Sequence, residues 1–282
     1  MREFDGRVAV VTGAGSGIGR ALAIALARRG ARLALSDVRT DDLAATAAFV
    51  PGAEVRHYPL DVTDAAAVQA HADQVVADFG SVDMLINNAG VSLTGDVVDM
   101  GLPDLAWVLD VDYWGVVHGT KAFLPHVIAS RGHIVNISSV FGVMAVPSQS
   151  AYNAAKFAVR GFTEALRMEM TLAGTGVGVS CVLPGGIKTN VVRNSRVVGD
   201  VDHADLVATF DKALAATSAD AAAEVILRGV QRDKARILVG RDARAIETMT
   251  RLLGPAYMRV VVAQSRRLAR RRAARAAARS AR

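Results

Sequence analysis

Cysteine is almost missing from this chain: Cys181, in the apolar run GVSCVLP, is the only one in 282 residues. A single thiol excludes a disulfide framework, so the expectation is a cytoplasmic protein with a buried strand cysteine. Runs of 18 apolar residues are also missing, which excludes a membrane-spanning helix. The opening segment, MREFDGRVAVV, enters a strand pattern directly and shows no secretory signal. No linker or repeat interrupts the chain before about residue 254. Neither His118 nor His126 has an acid or cysteine at ligand spacing, so both read as structural and no metal site is visible. What the chain does have is apolar material, 51% of it, enough for the core of one large α/β domain.

Acids are missing from the C-terminal end. Residues 264–282 hold eight arginines and no carboxylate, and without them 25 basic residues face 27 acidic ones. The net charge of +6 therefore belongs to a tail and not to the body. The expected division is one domain over 1–253 and a basic Arg/Ala-rich extension over 254–282. That extension can make peripheral contact with an anionic membrane, bind nucleic acid without sequence specificity, or remain a solvated tail.

Along the body, strand-like and helical patterns alternate. RVAVVT is followed by the glycine turn GAGSGIG and the helical RALAIALARRG. Glycines at 13, 17 and 19 let the backbone approach a ligand, and a helix starting near Gly17 points free N–H groups at a pyrophosphate. A second strand ends in Asp37, whose carboxylate can accept from both ribose hydroxyls of an adenosine and would repel a 2′-phosphate. This favours NAD over NADP, with Arg39 partly offsetting it. A third strand ends at Asp61 and Val62, placed to meet the adenine amine and ring. Asp61 could instead cap the next helix, a role open also to Thr63 or Asp64. Asn87, Asn88 and Gly90 form a polar loop at a further strand end. Residues 103–130 read as two helical pieces whose aromatics, Trp107, Tyr113 and Trp114, are packing residues. Pro184 and Gly185 stop a later strand at the same sheet edge, and Thr189 can reach a nicotinamide carboxamide or the phosphates. Residues 190–217 suit a helical flap over the site. Alternation of this kind implies one parallel sheet with helices on both faces.

The chemistry concentrates between Ser138 and Lys156. Tyr152 and Lys156 stand four apart in a helical segment and so share one face. An ammonium beside a phenol moves its pKa from near 10 toward neutrality, giving a proton donor and acceptor for carbonyl reduction or alcohol oxidation. A hydroxyl at Ser138 or Ser139, where strand gives way to loop, can hold the substrate oxygen.

These segments, in this order, resemble the short-chain dehydrogenase/reductase family over roughly residues 4–240. TGAGSGIG (12–19), NNAG (87–90), Ser139 thirteen residues before Tyr152, Tyr152-x-x-x-Lys156 and PGGIKT (184–189) are its motifs. The resemblance implies a Rossmann-type doubly wound parallel sheet of about seven strands. It implies Tyr152 as general acid/base, Lys156 lowering its pKa and binding the nicotinamide ribose, and Ser139 orienting the substrate. Cofactor contacts are implied for Gly13, Ser16, Gly17, Ile18 and Gly19. Further contacts are implied for Asn88, Ala89, Gly90, Pro184, Gly185, Ile187 and Thr189. It also implies a homo-dimer or homo-tetramer paired through helices at 104–130 and 150–172. One position departs: Asp112 stands where the family usually carries an asparagine that holds a water in a proton relay. An aspartate accepts but cannot donate, and its charge acts on Lys156, so a working relay with altered pH dependence is expected, the alternative being impaired turnover. The function implied is an NAD(H)-dependent oxidoreductase interconverting a secondary alcohol and a ketone. The apolar content of the flap suggests a lipophilic substrate. A second reading, a dinucleotide-binding sensor or scaffold, draws on Asp112 and the tail, and the intact Ser, Tyr and Lys argue against it.

Overall fold

Seven short strands carry the fold: β1 (Val8–Thr12), β2 (Arg32–Asp37), β3 (Val55–Pro59), β4 (Met84–Asn87), β5 (His133–Ile137), β6 (Gly178–Pro184) and β7 (Arg236–Val239). The computed structural model of the chain describes residues 3–211 and 216–267. The strands form one parallel sheet in the order β7-β6-β5-β4-β1-β2-β3. β1, β4 and β5 are buried at every residue, as parallel strands covered on both faces must be. β3, at the edge, exposes Arg56 and His57.

Two helical layers cover the sheet. On one face α1 (Gly17–Ala27), α2 (Thr40–Ala48) and α8 (Ala219–Gln231) bury Leu22, Leu26, Leu43, Ile226 and Leu227 against it. On the other, α3 (Ala65–Phe79), α5 (Gly115–Ala129) and α6 (Ser150–Leu172) bury Val68, Val75, Phe123 and Leu166. The expected two pieces over 103–130 are α4 (Leu102–Leu109) and α5, joined through a π-helical turn, Asp110–Trp114. Such wide turns often sit at functional positions, and this one carries the fully buried Asp112.

Of the helical flap expected over 190–217, α7 (His203–Thr209), capped by Asp202, and the π-helical Phe210–Asp211 after it are helix among the described residues. The β-branched stretch before it instead pairs Arg196–Val197 with Leu93–Thr94. After β7 come α9 (Arg241–Leu253) and a helix over 257–267. Most of the basic tail, 268–282, lies outside the described residues. Sequence order reverses between β1 and β4, and the register brings the C-terminal ends of β1, β4, β5 and β6 to one edge. Open α/β sheets bind ligands at that reversal.

Candidate active site

The glycine turn after β1 is shaped by close contact and by two asparagine-length side chains. Gly13 has φ +64, and a Cβ there would lie 2.7 Å from Ala89 Cα; one on Gly19 would collide with the Gly13 carbonyl oxygen. The Asn88 amide donates to the carbonyls of Thr12 (2.9 Å) and Gly13 (3.1 Å), while Thr12 Oγ1 accepts from the N–H groups of Asn88 and Ala89. Asn88 therefore holds the turn in shape through its side chain. Arg20, which sequence reasoning did not single out, donates to the Gly15 carbonyl and to Thr46 Oγ1. Asp37 accepts from Gly15 N (2.9 Å) and Arg39 N (3.0 Å), so its carboxylate stands at the mouth of the turn. Arg39 is paired with Asp42 at 2.7 Å and reaches Ser16 Oγ at 3.4 Å.

The remaining predicted contacts gather at the same edge. Asp61 accepts from Thr63 N and Oγ1, while Asp64 caps α3 through Ala66 N and Ala67 N. Val62 is buried where a Cβ on Gly115 would meet it at 2.7 Å. Ile18 packs on the core cluster of α1, and the Thr189 methyl lies 3.2 Å from where a Gly17 Cβ would stand. Gly185 N donates to Val239 O, Gly186 N donates to Asp242 Oδ2 (2.6 Å), and Ile187 is buried. Asp242 thus ties α9 to the loop after β6, a role no short motif announced.

Ser139, Tyr152, Lys156 and Asp112 form one cluster. Ser138 Oγ donates to the Lys156 carbonyl at 2.7 Å, which fixes it structurally. Ser139 Oγ accepts from Phe141 N (3.1 Å), leaving its O–H to donate, and the hydroxyl acts to lower the Tyr152 pKa. Lys156 Nζ stands 5.5 Å from the Tyr152 ring centre, 3.1 Å from Asp112 Oδ2 and 3.3 Å from the Ile137 carbonyl. Asp112 Oδ1 accepts from Val91 N at 2.7 Å, and Gly90 lies over the ion pair, where a Cβ would be 3.3 Å from Lys156 Nζ.

The electrostatics correct one expectation. The Tyr152 pKa is raised, not drawn toward neutrality: burial pushes it up, Lys156 lowers it, Asp112 raises it and the Ser139 hydrogen bond lowers it. The lysine's charge is shared with Asp112, so less of it acts on the phenol. For Lys156, burial works against its charge, but Asp112 and the phenol outweigh burial and its pKa is raised. Burial also pushes the Asp112 carboxyl up, against the pull of Lys156 and of the Val91 N–H. Burial thus works against the charge of the carboxylate, and the lysine works for it. The 3.1 Å contact and the 2.7 Å N–H bond both favour the carboxylate, so we take the pair as charged.

Behind the cluster, a buried ladder joins strands to helices. The Asn87 amide donates to Asn136 Oδ1 (2.9 Å), its registered neighbour on β5, and to Thr120 Oγ1. Asn136 in turn donates to Thr163 Oγ1 on α6 at 3.0 Å. Asn153, between Tyr152 and Lys156, donates to the carbonyls of Phe141 and Met144 and accepts from Val146 N, clamping the loop after Ser139. An asparagine at a buried helix position was the only signal of it. Asn153→Ala should lower stability by about 2 kcal/mol through the unpaired backbone groups it leaves. In thermal denaturation that is a fall of roughly 5 °C; an unchanged midpoint would show that the loop holds itself.

A family model described as short chain dehydrogenase matches residues 7–197. "Putative oxidoreductase SadH" of Mycobacterium tuberculosis is 55% identical over 266 residues, covering 93% of this chain and 96% of that one. Among solved structures, a short chain dehydrogenase/reductase from Burkholderia phymatum in complex with NAD superposes with TM-score 0.83 at 34% identity, covering 90% and 95% of the two chains. An alcohol dehydrogenase from the archaeon Thermococcus sibiricus, complexed with 5-hydroxy-NADP, gives TM-score 0.71 at 26% identity over 84% and 95%.

Proposed function

The chain belongs to the short chain dehydrogenase family of oxidoreductases, and from that premise we propose that it interconverts a secondary alcohol and a ketone with NAD(H). The observation that carries this is the single cluster of Ser139, Tyr152 and Lys156 at the ends of β4 and β5, beside the glycine turn. The residues around the turn fit a dinucleotide. Gly13 and Gly19 let the turn close tightly on the Asn88–Ala89 loop, α1 opens with free N–H groups, and Asp37 offers a carboxylate at the end of β2. Bound there, the nicotinamide would supply or accept the hydride. Toward a ketone, Tyr152 gives its proton to the oxygen that becomes the alcohol, and Ser139 O–H steadies the charge developing on that oxygen. Lys156, held by Asp112, keeps a positive charge next to the phenol.

A raised Tyr152 pKa leaves the phenol protonated at neutral pH, the form needed for reduction. Reduction should therefore hold at neutral pH and fall as pH rises through the Tyr152 pKa, while oxidation rises over the same interval. The sensor reading drew on Asp112 and on the basic tail, most of which, 268–282, lies outside the described residues. The place of Asp112 inside the reacting cluster supports an enzyme instead. Exposed Trp114, Met168 and Leu172 on α5 and α6 and the turn between α4 and α5 support pairing of identical subunits, and the single buried Cys181 fits a reducing cytoplasm. The apolar make-up of the 190–217 segment supports a lipophilic substrate.

Calorimetric titration with NADH and with NADPH tests the cofactor reading. NADH should bind at least about tenfold more tightly, and Asp37→Ser should shrink that gap by weakening NADH. Tighter NADPH binding by the unaltered protein would overturn the role given to Asp37, with Arg39 dominating.

A further inference from the structure

Charge is divided unevenly along this chain. Residues 228–282 carry sixteen basic and three acidic residues, whereas the rest carries seventeen and twenty-four. Part of the excess is structured surface. Arg228, Arg232, Lys234, Arg236 and Arg244 line one crevice of about 210 Å³ between α8, β7 and α9. Among the described residues, Arg232, Lys234 and Arg244 have no carboxylate within ion-pair distance.

The helix over 257–267 is attached along a narrow stripe. Tyr257 Oη accepts from Ala145 N at 3.1 Å, and Val261, one turn on, is only 9% exposed. Its other faces are open. Met258 is 51%, Val260 44% and Val262 40% exposed, and Leu252 just before the helix is 78% exposed. Arg259, Arg266 and Arg267 stand exposed among them, and six more arginines with no acid follow in 268–282. Aliphatic side chains and arginines interleaved on one exposed segment are what an anionic bilayer interface rewards from both sides.

We propose that this helix docks the protein on an anionic lipid surface. Met258 and Val262, four apart and so on one flank of the helix, enter the boundary between headgroups and acyl chains, and the arginines meet the headgroup phosphates. Two other partners fit less well. A nucleic acid gains little from aliphatic side chains, and Tyr257, the one aromatic over 257–282, is turned onto Ala145 and offers no stacking surface. A second copy meeting this face about a two-fold axis would set the same arginines against each other. Docking here also has a consequence for the cleft, resting on the alcohol–ketone reading above. Tyr257 holds the loop that follows Ser139, so a lipophilic substrate dissolved in the bilayer would be delivered to that side of the site.

The test is co-sedimentation of the full chain with phosphatidylcholine vesicles, with and without phosphatidylglycerol. Binding is expected only to the anionic vesicles and should weaken as salt is raised. The double variant Met258→Asp/Val262→Asp should bind them about tenfold or more weakly, since inserted apolar area is part of the attraction. NADH titration of the variant should be unchanged, showing an intact fold; an unaltered chain that binds NADH but neither kind of vesicle sinks the docking proposal and leaves the alcohol–ketone reading standing. Equal vesicle binding by the variant would mean that charge suffices, and would overturn insertion. Tighter binding to duplex DNA than to vesicles, or a dimer lost in the variant by sedimentation velocity, would overturn the choice of a lipid partner.

Discussion

Tyr152→Phe should reduce turnover about a thousandfold, the usual worth of a positioned proton donor, while NADH affinity stays within about threefold of the unaltered protein. The substitution removes one atom. The phenylalanine ring keeps its edge-on contact with Phe141, whose ring centre lies 6.0 Å away, and its place beside the Lys156 ammonium. The supports of the glycine turn, Asn88, Thr12 and Arg20, touch none of this and should hold the dinucleotide site unchanged. Ser139 would remain anchored by Phe141 N. Steady-state kinetics in both directions, with calorimetry for cofactor, give the required split. Residual turnover above a few per cent of the original would remove Tyr152 as the proton donor, and a parallel collapse of NADH binding would show damage to the fold instead.

How far the sequence reaches depends on the range of the interaction. The sheet was legible because every strand but the edge strand β3 is a short, largely apolar run and each helix has its own 3.6-residue pattern, both properties of neighbours in sequence. The glycine turn and the Tyr152–Lys156 spacing are equally local. What was not legible came from residues meeting across the fold. Asn153 reads as an ordinary helix residue until its three bonds to the loop at 141–146 are visible. Asp242 and Tyr257 act on loops 56 and 112 residues away. The Tyr152 pKa was misread for the same reason: the i,i+4 lysine was in view, whereas burial and the opposing charge of Asp112 are set by packing. The helical reading of 190–217 fell short differently, because Arg196–Val197 found a strand partner at Leu93–Thr94 that periodicity did not reveal.

Asp112 deserves two substitutions, because it acts as a charge and as an acceptor. Asp112→Asn keeps an oxygen for Val91 N–H and removes the negative charge. Asp112 raises the pKa of both Tyr152 and Lys156, so its neutralisation should let both titrate at lower pH. The fall of the reductive rate with pH and the rise of the oxidative rate should both move toward acid, with neutral-pH turnover within about tenfold. Asp112→Leu also removes the acceptor and leaves the Lys156 ammonium buried with only the Ile137 carbonyl at 3.3 Å. An uncompensated buried charge of that kind costs about 3 kcal/mol or more, a fall of roughly 10 °C in Tm for a domain of this size. The sign with pH follows from Lys156. Its folded pKa lies above the unfolded value, so the stability it contributes is fully present below that unfolded value and is lost as pH rises through the folded one. The gap between the original protein and the leucine variant should thus be wide at neutral pH and close only in strong base. If the asparagine variant instead keeps the original pH profile, the carboxylate exerts no field on the phenol, and Asp112 is only the anchor that holds the Gly90–Val91 loop over the lysine.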